Sequence, residues 1–191
     1  MSGNDPVGTT QFVAIDFETT GLYPTSDRII ELGGVRFLGG QSGETFEGLV
    51  NPGIPIGEDA ARVSGISDSD VEGAPAIDQL LPGFLQFIGD AVIVAHNAPF
   101  DVGFLRAAVN RLGLADIANP IVDTLPLAMK AFPRRRSYGL QNLATELGLP
   151  PNRAHRALDD AMMCMRLFAK CVDALSFMGD LPLSEVLAER V

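Results

Sequence analysis

The 191-residue chain has no tryptophan and only two tyrosines, two cysteines and two histidines. So few thiol and imidazole donors leave no Cys/His spacing of the zinc-binding kind. Cys164 and Cys171 fall seven residues apart in a segment with helical spacing. That is about 10 Å along a helix axis at roughly 1.5 Å per residue, whereas disulfide partners need Cα atoms within about 7 Å. Both cysteines therefore read as core thiols. No clean apolar run exceeds five residues, as at 91–95, against the roughly 20 needed to cross a bilayer. The first 13 residues carry no basic residue and no apolar centre, so a secretory signal is not expected. The expectation is a soluble, cytoplasmic protein without membrane contact. Positive charge is scarce too: 14 Lys and Arg against 24 Asp and Glu leave a net charge of −10. A general nucleic-acid coat protein is thereby disfavoured.

What is present describes one globular unit, with 47% hydrophobic and 20% charged residues. The expected organisation is a flexible N-terminus over 1–10, a domain over 11–175 and a short tail over 176–191. In that tail Leu181, Leu183, Val186 and Leu187 form one apolar set, suited to docking a partner or to folding back. The scarce positive charge is also unevenly placed. Lys130, Arg134, Arg135, Arg136, Arg153 and Arg156 face a single acid, Glu146, within 130–156, a local balance of +5. This segment reads either as a solvated loop or as a phosphate-binding rim on an otherwise acidic protein.

Residues 12–18, 28–38 and 44–52 have strand character and suggest an antiparallel meander. Residues 51–73 are rich in Gly, Pro, Ser and Asp and read as loop with one short helix. Helical spacing over 75–88 is interrupted by Pro82, which predicts a kink or a late start. The apolar run 91–95 reads as a strand covered on both faces. Helices follow at 100–112, 124–131, 140–147 and 157–175, with a brief strand at 121–122. Strands followed by strand–helix alternation give an α/β fold, a mixed sheet with helices on its faces.

Acids recur where an apolar environment is expected. Alternation along 12–18 puts Asp16 and Glu18 on one face with Phe12 and Ala14. Asp101 begins a helical stripe continued by Phe104, Leu105 and Ala108; an N-cap role is the alternative there. From Asp160 the helical spacing leads to Met163, Cys164, Leu167, Phe168 and Cys171. From Asp159 it leads to Arg166, Lys170 and Asp173, so Asp160 is the inward acid and Asp159 the wet one. Carboxylates on such faces are costly unless hydrogen-bonded, protonated or bound to a cation. Four oxygen donors suit two Mg²⁺ or Mn²⁺ ions that clamp an in-line phosphoryl displacement. Each histidine lies beside one of these acids. His155, five residues before Asp160, is placed to act as a general base. His96 closes the 91–95 strand and reads as ordering the site.

Three pieces, DFETTGL from Asp16, HNAPFD from His96 and HRALDDA from His155, resemble the motifs of the DEDDh 3′→5′ exonucleases. Within them the chain is most similar to the DnaQ-like, proofreading epsilon-subunit type. The resemblance runs over about 12–175. It implies an RNase H-like mixed five-stranded sheet flanked by helices. It also implies two Mg²⁺ or Mn²⁺ ions held by Asp16, Glu18, Asp101 and Asp160, with His155 activating the water that releases a 5′-mononucleotide. Thr19, Thr20 and Leu22 match positions that line the terminal nucleotide, with Phe100, His96 and Asn97 nearby. Ser64 stands where the family often has a histidine that helps hold substrate; no metal ligand is lost by that change. Asp123 reads as structural. The resemblance implies the 3′ end of single-stranded DNA as substrate, with a role in proofreading or repair. An RNase T-like or oligoribonuclease-like RNA exonuclease is the alternative, and a non-catalytic polymerase-accessory module is a further one. Partners are left open: the tail over 176–191 could dock a DNA polymerase subunit or a second copy of the chain, or fold back onto the domain. Asp160→Ala should abolish turnover of a labelled oligonucleotide while Asp159→Ala leaves it nearly intact; equal losses from both would sink the assignment of the inward acid.

Overall fold

The computed structural model describes residues 3–176 and 179–188. Five strands form one sheet in the order β3-β2-β1-β4-β5. Strands β1 (Gln11–Thr19), β2 (Ile29–Leu38) and β3 (Gln41–Leu49) make the antiparallel meander. Strands β4 (Val92–Ala95) and β5 (Ile121–Asp123) add in parallel beside β1. The fold is the expected mixed sheet with helices on both faces. Strand β3 starts three residues earlier than its composition suggests. Gly39 and Gly40 both take positive φ (54° and 77°) and turn the chain so tightly that Leu38 pairs with Gln41. The polar start of β3 is tolerated because it is an exposed edge strand.

Strand β1 divides the core. Phe12 and Ala14 pack on one side with Leu143, Ala161, Cys164 and Phe168. Val13, Ile15 and Phe17 pack on the other with Leu81, Phe84, Phe104 and Leu105. The first side is covered by α5 (Thr124–Ala131), α6 (Leu140–Glu146) and α7 (Ala157–Leu175), the second by α3 (Ile77–Ile88) and α4 (Ala98–Arg111). Two short helices, α1 (Glu58–Ser64) and α2 (Asp68–Val71), occupy the segment expected to hold one. Helix α3 begins at Ile77, later than the spacing from 75 suggests, and runs through Pro82 as a single element. Proline there removes only the bond to the carbonyl of Asp78, and the buried face of Leu81, Phe84 and Ile88 holds the helix in place.

Both cysteines are free and buried. Described segments from near the two ends of the chain lie together. Pro6 and Pro182 form an antiparallel bridge, and the N–H groups of Val7 and Leu183 donate to the carbonyls of Leu181 and Asp5, each at 2.9 Å. Val7, Leu183 and Val186 are buried in the α7-side core. Within the 1–10 segment expected to be flexible, residues 3–10 are hydrogen-bonded to the tail, whose apolar set packs on the α7-side core; residues 1–2, 177–178 and 189–191 lie outside the described residues. No helix among the described residues is long and apolar enough to cross a membrane.

Candidate active site

The sheet delivers its acids to one place. Asp16 and Glu18 stand at the C-terminal end of β1, on the face turned toward α7, and β4 ends beside them. Clefts at the carboxyl ends of parallel strands are the usual ligand sites of open α/β sheets. An open cleft of about 930 Å³ lies there, and its lining includes Asp16, Glu18, Asp101, His155 and Asp160.

Asp101 reaches it from the first turn of α4. Its carboxylate accepts from the backbone N–H of Phe17 at 3.0 Å and so ties the helix to β1; the N-cap position itself is held by Asn97. Asn97, immediately before α4, takes a left-handed conformation (φ 61°), and its N–H donates to Asp123 Oδ1 at 3.0 Å. Asp123 also accepts from Leu125 N at 2.9 Å and caps α5, a structural role.

Asp160, in the first turn of α7, is 6% exposed while Asp159 is half-exposed. Its oxygens accept from Gln141 Nε2 at 2.6 Å, Asn152 Nδ2 at 2.7 Å and the backbone N–H of His155 at 2.8 Å. Gln141 and Asn152 carry no charge or periodic signal and were not foreseen; only their place in the basic 130–156 segment pointed toward them. His155 is exposed and left-handed at φ 61°. Donor atoms of Glu18, His155 and Asp160 lie within 4.8 Å of one another, close enough to hold one cation. Asp16 and Asp101 line the same cleft outside that triple.

The acids oppose one another electrostatically. Burial, then the charges of Asp101, Asp160, Glu18 and Glu31, push the Asp16 carboxyl far above its ordinary range. Burial and the Asp160 and Glu31 charges raise Glu18 to about 7. Burial raises Asp101 to about 8, against the opposing hydrogen bond from Phe17. Asp160 is raised by burial despite its hydrogen bonds from Asn152 and His155. A cluster of oxygen donors whose full ionisation is unfavourable is the setting a divalent cation relieves.

His96 is held at both ring nitrogens. Nε2 contacts the Tyr138 carbonyl at 2.9 Å, which can only accept, so Nε2 carries the proton. Nδ1 then accepts from Thr124 Oγ1 at 2.9 Å. Burial lowers its pKa, outweighing the opposing Tyr138 hydrogen bond, and leaves a neutral brace between β4 and the 138–142 wall of the cleft. Leu22 is 72% exposed at the cleft, and Thr19, Thr20, Asn97 and Phe100 also line it. The Thr20 hydroxyl donates to Asp27 and accepts from Arg28 N, and the Thr19 hydroxyl donates to the Gly21 carbonyl. Ser64, expected beside the substrate, is not among the lining residues. It is 6% exposed, donates to the Ala60 carbonyl at 2.9 Å and accepts from Ile66 N at 3.1 Å, closing the end of α1. Its neighbour Val63 lines the cleft instead.

This sheet order with an acidic cleft beside β1, α4 and α7 is the architecture of an RNase H-like nuclease. An exonuclease family model matches residues 13–168. The chain is 37% identical to DNA polymerase III subunit epsilon of Aquifex aeolicus, over 87% of this chain and 82% of that one. It is 40% identical to a PolC-type DNA polymerase III of Thermotoga maritima over 97% of its own length, but it spans only 14% of that relative. Exonuclease X, solved with 5′-overhanging duplex DNA, superposes with a TM-score of 0.72 at 25% identity, covering 93% of this chain and 98% of that one. Escherichia coli Exonuclease I with a dT13 oligonucleotide shares the fold, with a TM-score of 0.76 at 20% identity over 86% of this chain and 41% of that one. The chain belongs to the exonuclease family.

Raised carboxyl pKa values mean that the folded protein keeps protons the unfolded chain has released. The resulting stability is full below the ordinary values, 4.5 for Glu18 and 3.8 for Asp101, and is lost as pH rises through about 7 and about 8 respectively. In EDTA, the thermal midpoint should fall between about pH 5 and about pH 8.5, and a divalent cation should restore it most at the upper end. A midpoint that rises over this range in EDTA would contradict the carboxylate account.

Proposed function

We propose that the protein is a divalent-cation-dependent 3′→5′ exonuclease acting on single-stranded DNA, in proofreading or repair. The observation that carries the proposal is the convergence of Glu18, His155 and Asp160 within 4.8 Å, in a cleft that Asp16 and Asp101 also line. Asp16, Glu18, Asp101 and Asp160 are the residues that would hold two Mg²⁺ or Mn²⁺ ions. Such ions, when bound, supply charge neutralisation and Lewis-acid activation at a phosphodiester. His155 accepts the proton of the attacking water; its exposed ring meets solvent at the cleft. The new bond joins that water oxygen to phosphorus, and the bond from phosphorus to the preceding nucleotide's 3′-oxygen breaks; that oxygen takes a proton from solvent to become a 3′-hydroxyl, and a 5′-mononucleotide is released. His96 takes no part in proton transfer, because both of its nitrogens are engaged.

Exposed Leu22 with Phe100 offers the terminal base an apolar platform, which is sequence-tolerant. The basic segment supports a polyanionic substrate. Lys130, Arg135 and Arg156 pair with Glu185, Glu146 and Glu31. Exposed Arg134, Arg136 and Arg153 have no ion-pair partner among the described residues. They flank the segments whose Gln141 and Asn152 hold Asp160, which suits them to the phosphates of the strand entering the cleft. The epsilon and PolC-type relatives support association with a DNA polymerase, and a cytoplasmic location accords with that role.

Matched 5′-labelled single-stranded DNA and RNA oligomers, incubated with Mg²⁺, Mn²⁺ or EDTA, test the proposal. The expected result is a metal-dependent ladder shortening from the 3′ end on DNA. A ladder on RNA alone would move the protein to RNA processing. No ladder on either with both metals supplied would refute the activity for the isolated chain.

A further inference from the structure

Glu31 is a fifth acid beside the cleft, and the reaction proposed above leaves it without a role. It stands in β2 directly across from Glu18 in the antiparallel register and is 4% exposed. Its carboxylate does not face the cleft as a spare ligand, for both oxygens are engaged by the start of α7. Oε1 accepts from Arg156 Nε at 3.0 Å and also from the terminal guanidinium nitrogen Nη2. Oε2 accepts from Arg156 Nε at 3.2 Å and from the backbone N–H of Ala157 at 2.9 Å. Arg156 is the N-cap residue of α7 and Ala157 its first helical residue. One buried carboxylate therefore clamps the side chain of the cap and the backbone of the first turn together.

The strand beneath is shaped for this approach. Gly33 follows Glu31 on the same face of β2, and a Cβ there would stand 2.1 Å from the Ala157 carbonyl carbon. Only glycine lets the helix start lie against the strand. The clamped pair sits between the two groups that matter for chemistry. His155 immediately precedes it, in a left-handed conformation that an L-residue adopts at a cost of roughly 1–2 kcal/mol. Asp160 follows it and donates its N–H to the Arg156 carbonyl at 2.9 Å, while accepting from His155 N at 2.8 Å. Where Arg156 and Ala157 are held thus decides where His155 and Asp160 stand relative to Glu18.

We infer that Glu31 and Arg156 are positioning residues, a clamp that sets the spacing of His155 and Asp160 from Glu18 across the β2–α7 junction. The inference rests on the proposed hydrolytic role of those three residues, but its geometry can be tested apart from it. A bidentate guanidinium–carboxylate fork fixes direction as well as distance, which a lysine cannot reproduce.

The test compares the protein with its Arg156→Ala and Arg156→Lys variants, reading amide hydrogen exchange at His155 and Asp160 alongside kcat and KM on a 5′-labelled DNA oligomer. Exchange at both amides should rise in both variants, with kcat lowered about 10- to 100-fold and KM within about threefold, the pattern of a lost transition-state arrangement. Arg156→Lys keeps the charge without the fork, so wild-type kcat in that variant would overturn the clamp. Unchanged exchange in folded Arg156→Ala would overturn it as well. An inactive wild-type protein would refute the exonuclease reading instead, and the exchange data would still decide the clamp.

Discussion

The mutual repulsion of carboxylates gathered at one cleft is the constraint on which the rest of the structure turns. Asp16, Glu18, Asp101 and Asp160 come from a central strand and the first turns of two helices, and burial raises each above the ordinary carboxyl range. A fold aimed only at stability would put apolar side chains there. Keeping the acids requires hydrogen-bond donors directed at them and a scaffold stiff enough to hold them apart. Phe17 N on Asp101, and Gln141, Asn152 and His155 N on Asp160, are those donors. The remaining unfavourable charge is what a divalent cation would offset.

The scaffold's stiffness has identifiable sources. Strand β1 is buried on both faces and carries two of the acids on the same face as Phe12 and Ala14. Asp123 fixes the left-handed Asn97 ahead of α4, and His96 braces β4 against the segment that carries Gln141. The described part of the tail is fastened to α5 and β5, where Lys130 meets Glu185 and Ala188 N donates to the Ile121 carbonyl. The tail's apolar residues are thereby buried against the domain that bears the site.

Which parts were legible in the sequence follows from the kind of signal each carries. Asp16, Glu18, Asp101 and Asp160 are charged residues in apolar periodicities, and the comparison of Asp159 with Asp160 needed only the helical repeat. The sheet was legible because β1 alternates apolar residues and β4 is a short, wholly apolar run, although the Gly39–Gly40 hairpin moved the start of β3. Gln141 and Asn152 were not legible, since neutral amides break no pattern. Glu31 was not legible, since no motif or spacing marks it and its partners, Arg156 and Ala157, meet it only where α7 starts against β2. Ser64 was read by its resemblance to a family position, and its hydroxyl instead satisfies the end of α1, a local bond that motif comparison does not register. The fold-back of the tail depends on contacts with residues 3–10, far away in sequence, so its apolar set alone left docking and folding back equally open.

Anomalous diffraction from crystals grown with Mn²⁺ tests the central claim most directly. The account predicts strong peaks in the cleft, with ion-to-oxygen contacts from Glu18 and Asp160 and from Asp16 or Asp101, at distances typical of manganese. A cleft without a peak at saturating Mn²⁺, its carboxylates instead protonated and hydrogen-bonded to one another, would contradict it.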